Sequence, residues 1–471
     1  MNSTKLEKSC IFEFVYDKIK VILKRCNMKK FLLIALGKCI IWFGKILNRG
    51  SSLPGEIILK LDSKFMGKIK LPKTVIAVTG SSGKGSVSSM IRDLYKDCGY
   101  SVAHNVKGSN LSAGIMTLLL ENTTLFGVMK KDVLVFEIDE RYTKYVFPEL
   151  NPNYVVITNL TRDQPPRQGH FDLVFEEIKK AITNDMHLIL NGDDPYLQKF
   201  SFDHKGPITY YGISKIKSSY TKNKFQNLNL NYCPMCNKKL EYEYYQFENL
   251  GNYHCSKCNF KRPKIDFEVT KLDFEKKEML INNLYSIHIP SGILYAVYNI
   301  LAAFSTTITL GLDTEVVSKI ISELNQNKKL YDEYSYHNRA VYVLNNKNEN
   351  STTFNSSLLF LDRFKEKKTI VIGWKEISRR YNFDDLSWLY DIDFELLKKH
   401  DIDKIVCVGI HRYDIATRLK YAGIYEKDIM VFDSLEEATS EIKKKTSGNI
   451  YAILNFDYVE PFNHYMKEDL S

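Results

Sequence analysis

The feature that most restricts the fold is a short apolar run leading into a glycine-rich turn and then a helical pattern. Thr74 to Val78 (TVIAV) reads as a buried strand, V-T-G-S-S-G-K-G-S follows over Val78 to Ser86, and Val87, Met90, Ile91 and Leu94 recur at helical spacing. Strand, glycine loop and helix start in that order are the setting of a phosphate loop. Gly80 and Gly83 let backbone N–H groups around Ser81 and Ser82 turn toward phosphate oxygens, and the helix N-terminus favours an anion. Lys84 neutralises the terminal phosphates, and beyond Gly85 the Ser86 hydroxyl is the expected magnesium ligand. A carboxylate should share that ion, because a transferring phosphoryl group needs divalent charge to offset its own. Glu137, at the strand end of V-F-E-I-D-E, is the candidate, with Asp139 and Glu140 behind it.

The alternation continues along the chain. DVLVFEID (132–139), YVVITNL (154–160) and HLILN (187–191) read as strands and FDLVFEEIKKAI (171–182) as a helix, which implies an α/β fold with a parallel sheet covered by helices on both faces. KTIVIGW (368–374) and KIVCVGI (404–410) suggest a second α/β unit. At 471 residues the chain exceeds the roughly 250 that one core supports, so several domains are expected. We place an N-terminal helical segment at 1–50, a central nucleotide-binding domain at 51–325 and a C-terminal α/β domain at 335–471, with an insertion at about 228–265 where the rhythm breaks.

That insertion holds C-P-M-C and C-S-K-C, so Cys233, Cys236, Cys255 and Cys258 form two knuckles separated by 18 residues. This is zinc-ribbon spacing: each knuckle supplies two thiolates to a tetrahedral ion, and a module with little apolar core gains its fold from the metal. No further ligand points to a catalytic zinc. The total of nine cysteines, odd and otherwise scattered, favours reduced thiols over a disulfide framework.

With 44% hydrophobic and 26% charged residues the chain is not a disordered one. Its net charge of +10 is spread along the sequence with no nucleic-acid motif, so no nucleic acid partner is expected and phosphorylated ligands or an acidic membrane face suit it better. The most apolar stretch, Phe31 to Leu47, is shorter than the ~20 residues of a spanning helix and carries Lys38 and Lys45. It reads as a buried helix or as one lying on a membrane surface. No small-residue cleavage site follows it, which points to the cytoplasm.

Taken together, these motifs resemble the Mur ligase family. The loop is similar to the G-T-x-G-K-[TG]-[ST] loop of Mur ligases and folylpolyglutamate synthases. S-S-L-P-G-E (51–56), N-V-K-G-S-N (105–110), E-I-D-E-R (137–141), T-N-L-T-R-D-Q (158–164), N-G-D-D-P (191–195), the knuckles with K-R-P-K (261–264) and Y-A-V-Y-N-I-L-A-A (295–303) resemble the MurT-like subunits of lipid II isoglutaminyl synthases. So does D-D-L-S-W-L-Y-D-I-D-F-E (384–395) with R-L-K-Y-A-G (418–423). The resemblance implies ATP, Mg²⁺ and Zn²⁺ as cofactors, with Asn299 on the nucleotide side. It also implies amidation of the D-glutamate α-carboxylate of the lipid II stem peptide through an acyl phosphate, at the cytoplasmic face of the membrane. Ammonia would come from a GatD-like glutaminase in a heterodimer, whose Cys-His site an aspartate of this chain completes, Asp385 as first choice and Asp391 as second.

The chain departs from that pattern in S-S-G-K-G-S, in Pro165 and Pro166, in Ala296, and in segments 344–355 and 454–462. A folylpolyglutamate-synthase-like amino-acid ligase and a non-catalytic protein that binds precursors stay open as alternatives.

Overall fold

The computed structural model describes residues 28–46, 52–105, 109–161, 171–226, 231–290, 293–326, 331–344, 350–374 and 386–468. The strands are β1 (Thr74–Thr79), β2 (Val102–His104), β3 (Val133–Glu137), β4 (Tyr154–Ile157), β5 (His187–Asn191), β6 (Ile208–Ile213), β7 (Glu241–Phe247), β8 (Leu250–His254), β9 (Phe267–Asp273), β10 (Glu278–Ile281) and β11 (Tyr285–His288). Six more, β12 (Tyr331–Tyr336), β13 (Arg339–Leu344), β14 (Lys368–Trp374), β15 (Ile402–Gly409), β16 (Ile429–Phe432) and β17 (Asn449–Leu454), lie beyond them. They form a nine-stranded sheet in the order β11-β10-β9-β6-β5-β4-β1-β3-β2, a six-stranded sheet in the order β12-β13-β17-β14-β15-β16, and the two-stranded ribbon β7-β8.

From β2 across to β9 every pairing of the large sheet is parallel, whereas β9, β10 and β11 pair antiparallel at one edge. Buried on both faces, the central strands read as unbroken Val, Ile, Leu and Phe. From β1 the sheet extends through β3 and β2 on one side and through β4 on the other. The carboxyl end of β1 therefore lies where the strand order reverses, the place at which open α/β sheets bind ligands.

Four helices are needed to place the site: α1 (Met28–Ile46), α2 (Leu53–Leu61), α3 (Lys84–Asp97) and α4 (Ser112–Asn122). Leu53 to Glu56 of the S-S-L-P-G-E motif form the start of α2, with Pro54 in its first turn where no N–H is needed. Gly55 of α2 meets α4 so closely that a Cβ would lie 1.8 Å from the Ala113 carbonyl oxygen. Only glycine fits there. The stretch read as a buried helix is only partly so: α1 buries Leu33, Ile34 and Gly37 and leaves much of its length exposed. No described helix is long and apolar enough to cross a membrane.

The ribbon and its flanking connections pack on the C-terminal unit through an apolar cluster in which Phe225, Phe247 and Ile293 join Trp374, Trp388, Phe354 and Phe394. The polar region around 311–350 conceals the helix Thr314–Gln326 and the hairpin β12-β13, whose outer strand YDEYSY is polar because it forms the sheet edge.

Candidate nucleotide loop and cysteine cluster

β1 ends at Thr79 and α3 begins at Lys84, so the loop between them is as short as the sequence implies. Two glycines are required by their backbone. Gly80 has φ +124° and Gly83 φ +82°, and a Cβ on either would strike Thr158 Oγ1 at 2.4 Å or Asn299 Oδ1 at 2.3 Å. Asn299 projects from α5 (Leu294–Thr309), a helix that packs on α3, and so stands beside the loop as expected.

The loop is held from several sides. Asn159 Oδ1 accepts from the Ser82 N–H at 2.9 Å, while Asn159 Nδ2 and Thr158 Oγ1 donate to the Ser82 carbonyl at 2.9 and 2.6 Å. Ser81 Oγ accepts from the Thr161 N–H at 3.0 Å and donates to the Thr161 carbonyl at 3.1 Å. Lys84 Nζ donates to the Gly80 carbonyl and reaches the carboxylate of Glu140, which is wholly buried, at 3.0 Å. The ammonium thus lies folded against its own loop and paired with Glu140, an acid ranked behind Glu137 in the sequence.

Glu137 takes its place at the end of β3. Asn110 Nδ2 donates to its carboxylate at 3.0 Å, and Asn105 fixes its backbone by accepting from the Glu137 N–H at 2.9 Å and donating to its carbonyl at 2.8 Å. In the first turn of α3 the residue facing Glu137 is Gly85, where a Cβ would lie 3.0 Å from Glu137 Oε2. Ser86 is the next residue and is exposed to solvent. Gly80, Ser81, Ser82, Gly83, Lys84, Gly85, Glu137 and Asn299 are therefore drawn together at the carboxyl end of β1. Thr158, Asn159, Asn105 and Asn110 were not singled out by sequence reasoning, although all four lie within quoted motifs.

The donor set fits a nucleotide triphosphate with a divalent ion: helix-start N–H groups, one lysine, one strand-end carboxylate and a nearby hydroxyl, whereas the Ser81 and Ser82 N–H groups, expected to face phosphate, donate to Asn159 instead. The C-terminal unit also reaches the loop, since Asn350, the N-cap of α6 (Ser351–Phe360), donates through Nδ2 to Ser82 Oγ at 3.1 Å.

The cysteine cluster is equally defined. The Sγ atoms of Cys233, Cys236, Cys255 and Cys258 all lie within 4.8 Å of one another, with Cys233 to Cys258 at 3.6 Å and Cys236 to Cys255 at 3.5 Å. A tetrahedral Zn–S bond of about 2.3 Å puts sulfurs about 3.8 Å apart, so the four thiolates fit such an ion. In each knuckle the chain turns back on itself: the Cys233 N–H donates to the Lys238 carbonyl at 2.7 Å and that of Cys255 to the Phe260 carbonyl at 2.8 Å. Arg262, just past the second knuckle, donates to the buried Asp193 at 2.7 Å, and Tyr298 of α5 donates to the same carboxylate at 2.8 Å. N-G-D-D-P and K-R-P-K are thus joined: they anchor the ribbon to the sheet.

The ribbon's far end enters the C-terminal unit. Glu248, at the β7-β8 turn with φ +47°, is buried and accepts from Asn355 Nδ2 of α6 at 2.9 Å. Burial, with Asp393 and Asp194 nearby, raises its carboxyl to about 7 despite the Asn355 bond. Asn355 also accepts from the Asp393 N–H at 2.9 Å and donates to the Asp391 carbonyl at 3.4 Å. Arg418 holds the same segment by donating to the Leu389 and Ile392 carbonyls at 3.2 and 2.7 Å and to both oxygens of Glu395 at 3.0 Å. Asp391 therefore sits in a braced segment on the C-terminal unit. Asp385 lies outside the described residues.

Residues 78–307 match the Mur ligase middle domain and residues 348–458 the MurT ligase C-terminal domain. The chain belongs to the Mur ligase family, whose members are ATP-dependent ligases. Within that family it is similar to the lipid II isoglutaminyl synthase (glutamine-hydrolyzing) subunit MurT of Staphylococcus aureus (strain COL), 28% identical over 418 residues that cover 88% of this chain and 92% of the relative. The corresponding subunit of Streptococcus pneumoniae (strain ATCC BAA-255 / R6) is 26% identical over 448 residues, 93% of this chain and 97% of the relative. Among solved structures, a pseudomurein peptide ligase type C from Methanothermus fervidus superposes with a TM-score of 0.64 at 21% identity, covering 91% of this chain and 84% of that one. MurF from Acinetobacter baumannii gives 0.60 at 15% identity, covering 87% and 80%. Both share the fold.

Proposed function

We propose that this chain is the synthetase subunit of a lipid II isoglutaminyl synthase. Its MurT relatives carry that name over most of their length, and the observation that carries the reading here is the gathering of Lys84, Glu137 and Asn299 on one phosphate loop beside a MurT-type C-terminal domain.

The N–H groups at the start of α3 hold the phosphates of ATP, and Lys84 leaves Glu140 to meet the terminal phosphates, exchanging one buried anion for another. Glu137 and Ser86 hold Mg²⁺, which offsets phosphoryl charge when bound. A carboxylate oxygen of the stem-peptide D-glutamate attacks the γ-phosphorus, ADP leaves, and an acyl phosphate forms. Ammonia then attacks the acyl carbon, inorganic phosphate departs with the former carboxylate oxygen, and one proton is lost to give the amide.

No part of this sequence supplies ammonia, so a GatD-like glutaminase is the partner, with Asp385 or Asp391 as the residue this chain offers to it. The four thiolates bind Zn²⁺ as a structural ion. Work on lipid II places the protein in the cytoplasm at the inner face of the membrane.

The test is to mix the chain, lipid II, ATP, Mg²⁺, glutamine and a GatD-like glutaminase, and to read product mass. Conversion of one carboxyl to an amide, absent without ATP and in Lys84→Ala, is expected. No amide from folded, zinc-loaded protein with an active glutaminase would sink the reading.

A further inference from the structure

Helix α1 is apolar on its outward face as well as its inward one, which is unusual for a helix on a soluble surface. Its inward face is Leu33, Ile34 and Gly37, set against α2 and α4. Gly37 fixes that orientation, since a Cβ there would lie 2.8 Å from Leu120 of α4. Turned outward are Met28, Phe31, Leu32, Trp42, Phe43 and Ile46, all exposed. At 3.6 residues per turn these positions fall within a sector of roughly 120°.

The stripe continues beyond the helix. Phe126, 78% exposed, stands with its ring 6.1 Å from that of Phe31, and Leu125 beside it is exposed as well. Trp42 is 60% exposed and Phe43 58%, with rings 4.8 Å apart. Single apolar side chains on a surface are ordinary, but a contiguous aromatic face marks an interaction site.

Charge says what covers it. The helix carries Lys29, Lys30, Lys38 and Lys45 and no acidic residue. By the same helical geometry Lys38 and Lys45 border the apolar stripe on one side, Lys45 pairing with Glu121 at 3.8 Å while its side chain stays 71% exposed, and Lys29 borders it on the other, held by Asp62 at 3.0 Å. An apolar aromatic stripe edged by lysines, on a helix not able to span a bilayer, is the pattern of an interfacial helix. Lys38 and Lys45 meet anionic headgroups while the tryptophan and phenylalanines enter the headgroup and acyl boundary.

We propose that α1 together with the Phe126 turn is a membrane-docking face, and that its occupant is a bilayer surface rich in anionic lipid. The docking stands on this geometry, and its purpose rests on the lipid-linked acceptor proposed above. α1 packs on α4, which begins two residues after Asn110, the donor to Glu137. A docked α1 would therefore hold the layer next to the magnesium carboxylate close to the surface from which the substrate headgroup projects.

The molecule carries its own probe. Of three tryptophans, Trp374 and Trp388 are buried and Trp42 is exposed. The complex of the full chain with its glutaminase should float with vesicles of mixed phosphatidylglycerol and phosphatidylcholine, shift its tryptophan emission to the blue on doing so, and bind phosphatidylcholine vesicles far less. Trp42→Glu/Phe43→Glu should lower vesicle binding at least about tenfold. It should leave thermal unfolding and amidation of a water-soluble stem-peptide acceptor unchanged, while slowing turnover of acceptor embedded in vesicles. Lys38→Gln/Lys45→Gln should weaken binding to the anionic vesicles alone.

A chain that stays unbound with unchanged emission overturns the proposal, as does equal vesicle binding by the double glutamate variant. So does a dimer, abolished by that variant, without vesicle binding. Absence of product from the water-soluble acceptor would count against the enzymatic reading and leave the docking result standing by itself.

Discussion

The phosphate loop and the cysteine ribbon are both short, both glycine- or cysteine-punctuated, and held in opposite ways. The loop takes its shape from the sheet: Thr158, Asn159 and Thr161 follow β4, Glu140 follows β3, and together they hold the loop's serines and lysine with no ion needed. Among the described residues the ribbon's buried core is Cys233, Leu240, Tyr253, Cys255 and Phe260, two of which are proposed zinc ligands. The proposed nucleotide site is thus preorganised by the scaffold, whereas the ribbon, on the zinc reading proposed above, would depend on its metal and transmit that dependence through Arg262 to Asp193 and through Glu248 to Asn355. Substitutions in the loop should cost chemistry, and substitutions in the ribbon should cost structure.

The sharpest way to break that contrast is Cys255→Ser or chelation. Structural zinc sites carry about 10–16 kcal/mol of apparent binding energy, so the bound ion should be lost and amide protection should fall across β7-β8 and in α6, where Asn355 loses Glu248. Elemental analysis and hydrogen exchange check it, and a hairpin that keeps its protection without metal would show that its apolar contacts suffice.

Lys84→Ala comes next, with turnover lowered by about 10²–10³. It should also cost stability, about 3 kcal/mol, by leaving Glu140 buried without its ion pair. Lys84→Met/Glu140→Gln should recover much of the stability in urea titrations while turnover stays low, which separates the two roles.

Glu248 gives a smaller, pH-dependent effect. Its carboxyl is raised from the usual 4.5 to about 7 in the native protein, so the folded state holds a proton that the unfolded state has released. Stability should therefore fall as pH rises from about 4.5 to 7 and level off above, by at most about 3 kcal/mol. Glu248→Gln should flatten that slope in unfolding curves at pH 5 and 8, and an unchanged slope would place the titration elsewhere, Asp194 being raised to about 7 as well. The smallest effect is at the exposed pair of Lys60 and Glu56: Lys60→Ala should shift stability by less than about 0.5 kcal/mol.

Much of this was legible because its signal is local. β1, β3, β4, β5, β14 and β15 announce themselves as apolar runs because both faces of a parallel strand are buried. The phosphate loop needs its glycines where φ is positive, and the cysteine cluster needs two residues between the members of each pair. What was not legible depends on contacts distant in sequence. Nothing near Glu140 says that Lys84 will fold onto it, 56 residues away. Nothing in the turn at Glu248 says that it is buried against Asn355. The hairpin β12-β13 was missed because an edge strand has one polar face and so lacks the apolar run, and the outward face of α1 because hydropathy does not tell which side of a helix is covered.

The most direct test of the proposed chemistry follows one oxygen atom. Lipid II with ¹⁸O in the D-glutamate α-carboxylate, turned over with ATP, glutamine and the glutaminase, should yield inorganic phosphate carrying one ¹⁸O per amide formed, because an acyl phosphate hands that oxygen over when ammonia displaces it. Amide formed with unlabelled phosphate would contradict activation at this loop.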